Sequence, residues 1–380
     1  MTQESPGALL SILRDGRART RADLVQVTGL ARSTLTQRLD ALLDQRWILP
    51  VEEAISSGGR PATAFAFNPR ARLVLAADLG VTRARVALTD LSGAVLAEHA
   101  ADLPIDGGPE RCLTWLLDTA DDLLTDSDIS DVGGIGLGLP GPVEHRSGRA
   151  VNPPLMPGWD GFPVTEWLGA KIDAPVLVDN DVNIMALGEH RAAAPDVEHM
   201  IFVKVGTGIG CGIVSERRLH RGAQGAAGDI GHVRVPAADL ALCRCGNLGC
   251  LEAIAGGAAL AARLRVEGTR DVVRLVRGGT AEATNLVRES GREVGLVLAS
   301  IVNFFNPSVI VIGGDLAEAG EHLLAGVREI VYGRSLPLAT QRLDIRASVL
   351  RDRAGVSGAA MMVIEHVLTP ASVDRMVEFG

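Results

Sequence analysis

Three cysteines and one histidine stand close enough together in the sequence to share a metal ion. Cys243, Cys245 and Cys250 fall within eight positions, and His232 shortly precedes them. Three thiolates and one imidazole fill the tetrahedral shell of a structural zinc site and leave no position for a catalytic water. The sequence therefore predicts a structural Zn²⁺ site, and a cluster of reduced thiols without a metal is the alternative.

Acidic and amide side chains follow an apolar segment in the run Val178-Asp179-Asn180-Asp181. An asparagine amide both donates and accepts hydrogen bonds, and an aspartate accepts them from two hydroxyl groups. Asn180 and Asp181 therefore suit a polyhydroxylated ligand, and Asp181 could act as a general base toward a sugar hydroxyl. The alternative is that these residues only cap a helix predicted over residues 184–190.

Three glycine-rich turns each follow a predicted strand. Backbone N–H groups in such turns can surround phosphate groups, which predicts nucleotide contacts. Glycines also occur where the backbone must only adopt a positive φ or approach a neighbour closely, and that alternative stays open. The residues concerned are Asp78, Gly80 and Thr82 in the first turn, Gly206, Thr207 and Gly208 in the second, which is expected to run to Gly212, and Gly313 and Gly314 in the third.

The elements that must position these residues alternate between strands and helices after Pro69. This order is typical of an α/β fold, in which ligands bind beyond the carboxyl ends of the strands. The predicted strands cover residues 73–77, 85–89, 132–136, 176–178, 200–205 and 309–312.

Residues 1–70 differ from the rest in charge and pattern. They carry nine Arg and seven acidic residues, a net charge of +2, whereas residues 71–380 have a net charge of −11. Helices are predicted over residues 8–13, 21–27 and 31–45; Thr20 and Asp23 resemble a capping box before the second, and a glycine-containing turn precedes the third. This is a helix-turn-helix pattern, so residues 1–70 are predicted to form a separate DNA-binding domain.

The third predicted helix has polar residues opposite its leucines, with hydroxyls that can contact phosphates and longer donors that can reach base edges. Strands predicted over residues 47–51 and 62–67 flank a Gly-Arg-Pro segment and would form a wing that enters the minor groove. The alternative is a helical pair with an ordinary hairpin, used for dimerisation. The predicted DNA contacts are Arg32, Ser33, Thr34, Gln37, Arg38 and Arg60.

Composition narrows the class of protein. A chain of 380 residues with 47% hydrophobic and 22% charged content is globular, and a net charge of −9 argues against coating nucleic acid by bulk attraction. The five cysteines are an odd number, which disfavours a disulfide framework. The first residues lack a signal-peptide pattern and no long uninterrupted apolar stretch follows, so we expect a cytoplasmic protein with no membrane partner.

These motifs together resemble the ROK family, whose name stands for repressors, open reading frames and kinases. The resemblance covers essentially the whole chain, including the N-terminal winged helix that the repressor branch carries. It rests on the segments 136–143, 179–181 and 206–212, the segment 225–232 that ends in Ile-Gly-His, and the cysteine run that ends at Glu252.

The resemblance implies an actin-like, two-lobed sugar-kinase fold of the RNase H-like class over residues 71–380, with a ligand cleft near residues 180–252. It also implies that His232 is a zinc ligand through one nitrogen, so that zinc shapes one wall of the sugar pocket. The implied sugar contacts are Asn180, Asp181, Asp229, His232 and Glu252.

The chain departs from the pattern of that family in three places. One is the segment 153–159, which lacks the asparagine that often precedes Gly-Trp in the family. Val81 replaces a glycine expected to lie against phosphate, which disfavours ATP and Mg²⁺ binding. Asp229 stands where the family has a glutamate, one methylene longer, which alters the implied sugar contacts.

The sequence thus predicts a sugar-responsive transcriptional regulator, a repressor of carbohydrate genes. Its expected partners are an operator duplex and a small sugar or sugar phosphate, and it is expected to be a homodimer or homotetramer because two half-sites must be matched. One alternative is an ATP-dependent sugar kinase of the glucokinase type, with Asp181 as the base. Another is an architectural DNA-bound protein whose kinase-like part only dimerises.

Overall fold

The computed structural model describes residues 5–52, 63–125 and 131–379 of the chain. Its N-terminal part, here called the head, combines three helices with a three-stranded sheet in the order β1-β3-β2. Its elements are α1 (Pro6–Leu13), β1 (Arg19–Thr20), α2 (Arg21–Thr28), α3 (Arg32–Asp44), β2 (Ile48–Glu52) and β3 (Thr63–Phe67).

Local signals in the sequence account for the helices of the head. The predicted capping box is present: Thr20 accepts a hydrogen bond from the Asp23 amide, and the Asp23 carboxylate accepts one from the Thr20 amide. Gly29 ends α2 in the left-handed conformation, at a φ of 70°. The predicted tip of the wing, which includes Arg60, lies outside the described residues.

The first lobe is built on a five-stranded sheet in the order β10-β7-β4-β5-β6, with the first three strands parallel. The helix α4 packs on one face of this sheet. The elements are β4 (Leu73–Leu79), β5 (Arg83–Asp90), β6 (Val95–Asp102), α4 (Pro109–Thr125), β7 (Val132–Leu139), β8 (Val143–Glu144), β9 (Arg149–Ala150), α5 (Val164–Gly169) and β10 (Val176–Asn180).

The second lobe is built on a sheet in the order β13-β12-β11-β14-β15. The helix α6 (Asp181–Ala193) packs on one face of it. The other elements are β11 (Met200–Val205), β12 (Ile209–Ser215), β13 (Arg218–His220), α7 (Glu252–Ala255), α8 (Gly257–Leu264), α9 (Thr269–Arg277), α10 (Ala281–Phe305), β14 (Val309–Gly313), α11 (Glu321–Arg334), α12 (Pro337–Thr340) and β15 (Asp344–Ala347).

The chain ends with α13 (Ala354–Val367) and α14 (Pro370–Phe379), and α13 returns to the sheet of the first lobe. The two lobes meet where α13 crosses α6. A Cβ atom on Gly358 would lie 1.6 Å from the carbonyl oxygen of Ile184, and one on Gly188 would lie 2.4 Å from that of Ala354. Only glycine permits this backbone-to-backbone contact between the two helices.

The head is packed onto the first lobe by the C-terminal helices. Leucines of α1 and α3 belong to the same buried apolar cluster as Val363 of α13 and Val373 of α14. The amide of Gly7 donates a hydrogen bond to Asp374 Oδ1 at 2.7 Å, and a Cβ on Gly7 would lie 2.3 Å from the Pro370 carbonyl oxygen. The first and last helices of the described chain therefore touch directly.

The two-lobed α/β architecture agrees with the expectation, and each of the predicted strands is present. The second glycine-rich turn was predicted to run to Gly212, which is wrong, because β12 begins at Ile209. A Cβ on Gly212 would lie 2.5 Å from that of Ala186, so this strand glycine lets α6 pack closely rather than forming a loop. The helix predicted from residue 184 begins earlier, at Asp181.

Among the described residues, no individual helix has the length and apolar character needed to cross a membrane. The bent pair formed by residues 351–367 and 370–378, with an angle of 63°, meets the length and composition criteria only when the two helices are taken together.

Candidate functional site

A cleft of about 1060 Å³ separates the two lobes, and the residues predicted for sugar and nucleotide binding line it. The ends of β4 and β14, the start of α6 and the turn between β11 and β12 form its walls. The predicted residues along it are Asp78, Gly80, Thr82, Asn180, Asp181, Gly206, Thr207, Gly208, Asp229, His232, Glu252, Gly313 and Gly314.

Asn180 both caps a helix and lines the cleft. Its side-chain oxygen accepts a hydrogen bond from the Val182 amide at 3.0 Å and caps α6, and its side-chain nitrogen donates to the Gly141 carbonyl at 2.7 Å. The helix-capping alternative therefore describes this residue correctly. The cap also places Asp181 in the first turn of α6, at the edge of the cleft.

Asp181 is paired with a lysine that the sequence analysis did not select. Lys204 Nζ lies 2.5 Å from Asp181 Oδ2, and the Asp181 side chain is only 7% exposed. Burial alone would lower the pKa of Lys204, but the carboxylates of Asp181, Asp78 and Asp315 outweigh it and raise that pKa above its usual value. The ammonium therefore stays charged and holds one oxygen of Asp181.

Asp78 is the last charged residue of β4 and faces the same group of charges. Its Oδ1 atom is buried without a hydrogen-bond partner among the described residues. Burial raises the pKa of Asp78 to about 6, although Lys204 opposes the shift. A Cβ on Gly355 would lie 2.0 Å from Asp78 Oδ2, so the first turn of α13 lies directly against this carboxylate.

Glu252 is fixed against the turn between β11 and β12. Its Oε2 atom accepts a hydrogen bond from the Ile209 amide at 2.9 Å. A Cβ on Gly208 would lie 2.3 Å from the same oxygen, so the glycine is needed for the carboxylate to reach this position. The predicted sugar contact is thus held in place by the backbone of the predicted nucleotide turn.

The four predicted metal ligands come together, with one candidate atom from each within 4.8 Å of the others. Cys243 Sγ lies 3.6 Å from His232 Nδ1, and Cys245 Sγ lies 3.7 Å from Cys250 Sγ. A tetrahedron with Zn–S bonds of about 2.3 Å has S–S edges of about 3.8 Å, so these spacings fit a closed zinc shell. Gly246 and Gly249 adopt positive φ values of 90° and 87°, which closes the loop that carries the thiols.

His232 connects the metal cluster with the cleft. Its Nδ1 atom faces Cys243, and its Nε2 atom lies 3.8 Å from Asp229 Oδ1. The imidazole itself lines the cleft. A metal bound at Nδ1 would therefore leave Nε2 directed toward Asp229.

The turns predicted to hold phosphate use part of their backbone N–H groups internally. The Gly80 amide donates to the Arg83 carbonyl at 2.8 Å, and the Gly206 amide donates to the Gly208 carbonyl at 2.9 Å. Val81 lies on the cleft wall and packs against the core of the first lobe. These contacts leave fewer amides for a phosphate than the glycine pattern suggests.

Arg270 and Asp102 form an ion pair between the lobes. Arg270 of α9 lies 2.8 Å from Asp102 at the end of β6. Both side chains are largely exposed, so this pair contributes little to stability. It does link the two lobes on either side of the cleft.

The predicted DNA-reading face is the solvent side of α3. Arg32, Ser33 and Gln37 are exposed, Thr34 and Arg38 are half-buried, and the leucines on the opposite side are buried. The structure thus presents five of the six predicted contacts on one helix, while Arg60 lies outside the described residues.

Lys204 is a cleft residue that sequence reasoning missed. Lys204 is one of only two lysines in the chain, beside Lys171, and it interrupts an otherwise apolar strand in Ile-Phe-Val-Lys-Val. A lone cation within an apolar strand signals a buried partner of opposite charge, and that signal could have identified it.

Comparison with known proteins places these features in a family. The ROK family model matches residues 74–366. The chain is 31% identical to a putative xylose repressor of Caldicellulosiruptor sp. over 95% of both proteins. The structure of a ROK family transcriptional regulator described as a homologue of the Escherichia coli Mlc protein superposes with a TM-score of 0.81 and 27% identity, covering 100% of this chain and 99% of that one.

A kinase structure is similar to part of the chain. The ROK family glucokinase of Streptomyces griseus in complex with glucose and AMPPNP is 28% identical, with a TM-score of 0.65. The match covers 76% of this chain and 98% of the glucokinase.

Proposed function

The chain belongs to the ROK family, and on that basis we propose that it is a sugar-responsive DNA-binding transcriptional regulator, a repressor of carbohydrate-metabolism genes. The similar putative xylose repressor and the similar transcriptional regulator, both matched over nearly their full length, support this assignment.

One structural observation carries the proposal: α13 touches both the cleft and the packing of the head. Its first turn lies against the Asp78 carboxylate at Gly355. Residues near its other end share a buried cluster with the leucines of α1 and α3. A change in the cleft that moves α13 therefore reaches the head through a continuous packed core.

The ligand is a sugar or sugar phosphate held between the lobes. Carboxylates of Asp181, Asp229 and Glu252 accept hydrogen bonds from hydroxyl groups, and the Asn180 side chain lies on the same wall. Because Asp229 is one methylene shorter than glutamate, it requires a closer approach of the ligand to His232. Xylose and glucose are the first candidates, because the names of the similar proteins mention them.

His232, Cys243, Cys245 and Cys250 would hold a structural Zn²⁺, while ATP and Mg²⁺ have no part in the proposal. Bound zinc supplies a closed coordination shell that orders the loop and exposes no water for catalysis. With Nδ1 turned to the thiolates, His232 presents Nε2–H to the cleft, where it can donate to a sugar hydroxyl. The metal site thereby fixes one wall of the sugar pocket.

DNA is recognised by the head. Residues 1–70 are the DNA-binding domain and residues 71–380 the ligand-binding domain in this proposal. The contacts are Arg32, Ser33, Thr34, Gln37 and Arg38 of α3 together with Arg60 of the wing. A homodimer or homotetramer matches two half-sites of an operator.

Regulation follows from a difference in ligand affinity between two angles of the lobes. A sugar that prefers one angle shifts the population toward it, and α13 transmits the change to the paired heads. A coupling of about 1.4 kcal/mol changes operator affinity about tenfold. The sugar lowers operator affinity in this scheme.

The test measures binding of the full-length protein to its own promoter DNA, with and without xylose or glucose. We expect at least one sugar to weaken binding about tenfold and an Asp181→Asn variant to lose this response while still binding DNA. If neither sugar nor any wider panel of hexoses and pentoses changes DNA binding, the sensory part of the proposal is wrong.

An enzyme assay addresses the kinase alternative. Asp181 and the turn at Gly206 line the cleft as they would in a kinase, which is the observation that favours this alternative. A coupled assay with ATP, Mg²⁺ and the same sugars should show no turnover above background. Phosphorylation at an ordinary enzymatic rate of about 10 per second would replace the regulator proposal by a sugar kinase.

A further inference from the structure

A single ammonium group sits among the acidic residues at the base of the cleft. Lys204 projects from β11 with its Nζ atom 2.5 Å from Asp181 Oδ2. The lysine side chain is 24% exposed, so most of it is removed from water. The chain uses arginine at nearly every other basic position, and its second lysine, Lys171, lies on the surface over Trp167.

The carboxylates around Lys204 come from three different elements. Asp78 lies near the end of β4, Asp181 begins α6, and Asp315 follows β14, and all three line the same cleft. A Cβ on Gly206 would lie 3.7 Å from Lys204 Cε and 3.9 Å from the Asp315 backbone nitrogen, so the lysine side chain and the start of the Asp315 segment lie side by side. Each of the three carboxylates raises the pKa of Lys204. Among the described residues, Asp78 Oδ1 is buried without a hydrogen-bond donor.

Carboxylates that converge on a cleft require a positive charge to balance them. In enzymes that transfer phosphate, a divalent cation held by one or two carboxylates and the phosphate oxygens supplies this charge. A protonated lysine among the same carboxylates repels a second cation and occupies a carboxylate oxygen that the metal would need. It also occupies Oδ2 of Asp181, one of the two atoms that would accept a proton from a sugar hydroxyl.

We propose that Lys204 takes the place of a divalent metal among Asp78, Asp181 and Asp315 and makes the cleft bind a neutral sugar without transferring phosphate. Lys204 is thus a positioning and specificity-determining residue, which acts through Asp181. This inference deepens the proposed function, because it states how a cleft of kinase type serves as a sensor.

The test measures Mn²⁺ binding to the zinc-loaded, full-length protein by electron paramagnetic resonance of the free ion. Wild type is expected to bind no Mn²⁺ at millimolar concentration. Lys204→Met removes the ammonium with little change in volume and is expected to create one Mn²⁺ site, with affinity at least about tenfold above wild type. Adding Asp181→Asn to this variant should remove the new site.

Two lysine variants serve as matched controls. Lys171→Met removes the only other lysine and should behave like wild type, and Lys204→Arg keeps the positive charge and should bind no Mn²⁺ either. If Lys204→Met does not fold, as judged by circular dichroism, Lys204→Gln replaces it as the neutral variant.

Two results would overturn the inference. One is stoichiometric Mn²⁺ binding by the wild type, with Lys204 in place, that Asp181→Asn abolishes. The other is a folded neutral variant that gains no Mn²⁺ site. The proposed function is tested separately by the response of operator binding to sugars, so failure of one leaves the other measurable.

Discussion

His232 shows how one side chain can serve a metal site and a ligand cleft at once. Its Nδ1 atom faces Cys243, whereas its Nε2 atom faces Asp229 across 3.8 Å. A ligand atom on one side of the ring fixes the orientation of the other side. In the proposed function, the position of a donor in the cleft therefore depends on three cysteines that do not themselves have to touch the sugar.

Replacing one of these cysteines should remove the metal. Cys250→Ser takes away a thiolate of the four-ligand shell, and we expect the zinc content to fall from about one ion per chain to near zero. The measurement is inductively coupled plasma mass spectrometry of protein purified without chelators. Cys112→Ser is the control, because Cys112 is also buried but belongs to the core of the first lobe. Equal zinc in both variants and wild type would contradict the assigned ligand set.

Asp78 should make stability depend on pH. Burial raises its pKa from 3.8 to about 6. As the pH rises, the unfolded chain releases the Asp78 proton at a lower pH than the folded protein does, and this favours unfolding. The contribution of Asp78 to the free energy of unfolding is therefore fully present below about pH 4 and is lost by about pH 6. Asp78→Asn stays neutral and avoids the loss, which amounts to about 1.4 kcal/mol per unit of pKa shift, or up to about 3 kcal/mol.

The measurement is chemical denaturation of wild type and Asp78→Asn from about pH 4 to about pH 7. The difference between the two free energies of unfolding should grow with pH in favour of the variant, and other titrating groups cancel in that difference. Asp118→Asn, on the exposed side of α4, is the control. A difference that stays constant or shrinks would show that the Asp78 carboxyl is not destabilised by burial.

Secondary-structure elements were predictable where local pattern determines them. The capping box at Thr20, the leucines of α3 and the apolar β11 all carry their signal within a few neighbouring residues. The strand β6 was missed because it is a largely exposed edge strand without a clear alternation of buried residues. The strand β12 was missed because its glycines, which allow α6 to pack closely, look like loop residues.

The same distinction applies to the candidate site: residues close together in the sequence were predictable, and pairs formed by tertiary packing were not. The four metal ligands lie near one another in the sequence and have a preferred chemistry, so their convergence could be expected. The pair of Lys204 and Asp181 joins a strand to a helix through tertiary packing, and no local pattern gives the distance between their side chains. Charge pairs of this kind depend on the fold that brings the two elements together.

The helix α3 allows a direct test of base readout. Arg38→Ala should relax the preference for one base pair of the operator, at a cost of about 1 to 3 kcal/mol for a bidentate base contact. The measurement is selection from a randomised operator library followed by affinity determination. Arg288→Ala on α10 of the second lobe is the control and should leave both affinity and preference unchanged. An unaltered preference in Arg38→Ala would assign base reading to other residues.

On the scale of the whole molecule, the head shares a packed core with the first lobe and the C-terminal helices and is not a freely tethered module. The helices α1 and α14 touch, and one buried cluster runs from the head into α13. Close-packed elements of this kind transmit strain, so a displacement at one end displaces the other end. This continuity gives ligand binding a physical route to the proposed DNA-binding surface.

Disturbing the contact between α1 and α14 should uncouple the two ends. In Gly7→Ala the added Cβ would meet the Pro370 backbone at 2.3 Å, so α1 must shift away from α14. In this variant we expect xylose or glucose to change operator affinity little, instead of about tenfold. Calorimetry without DNA should show an unchanged affinity for the sugar.

Gly333→Ala is the matched control, because a Cβ at that position meets nothing within 4 Å. It should keep the full response to sugar. A normal response in Gly7→Ala would mean that the signal reaches the head by another route.

The glycine crossing between α6 and α13 has a mechanical consequence. The backbones of the two helices are in direct contact at Gly188 and Gly358, with no side chain between them. The two helices can pivot at this point but cannot be pushed closer together. In the proposed function, α13 pivots at this crossing. A small tilt of its first turn beside the cleft then becomes a larger displacement of its other end, which packs against the head.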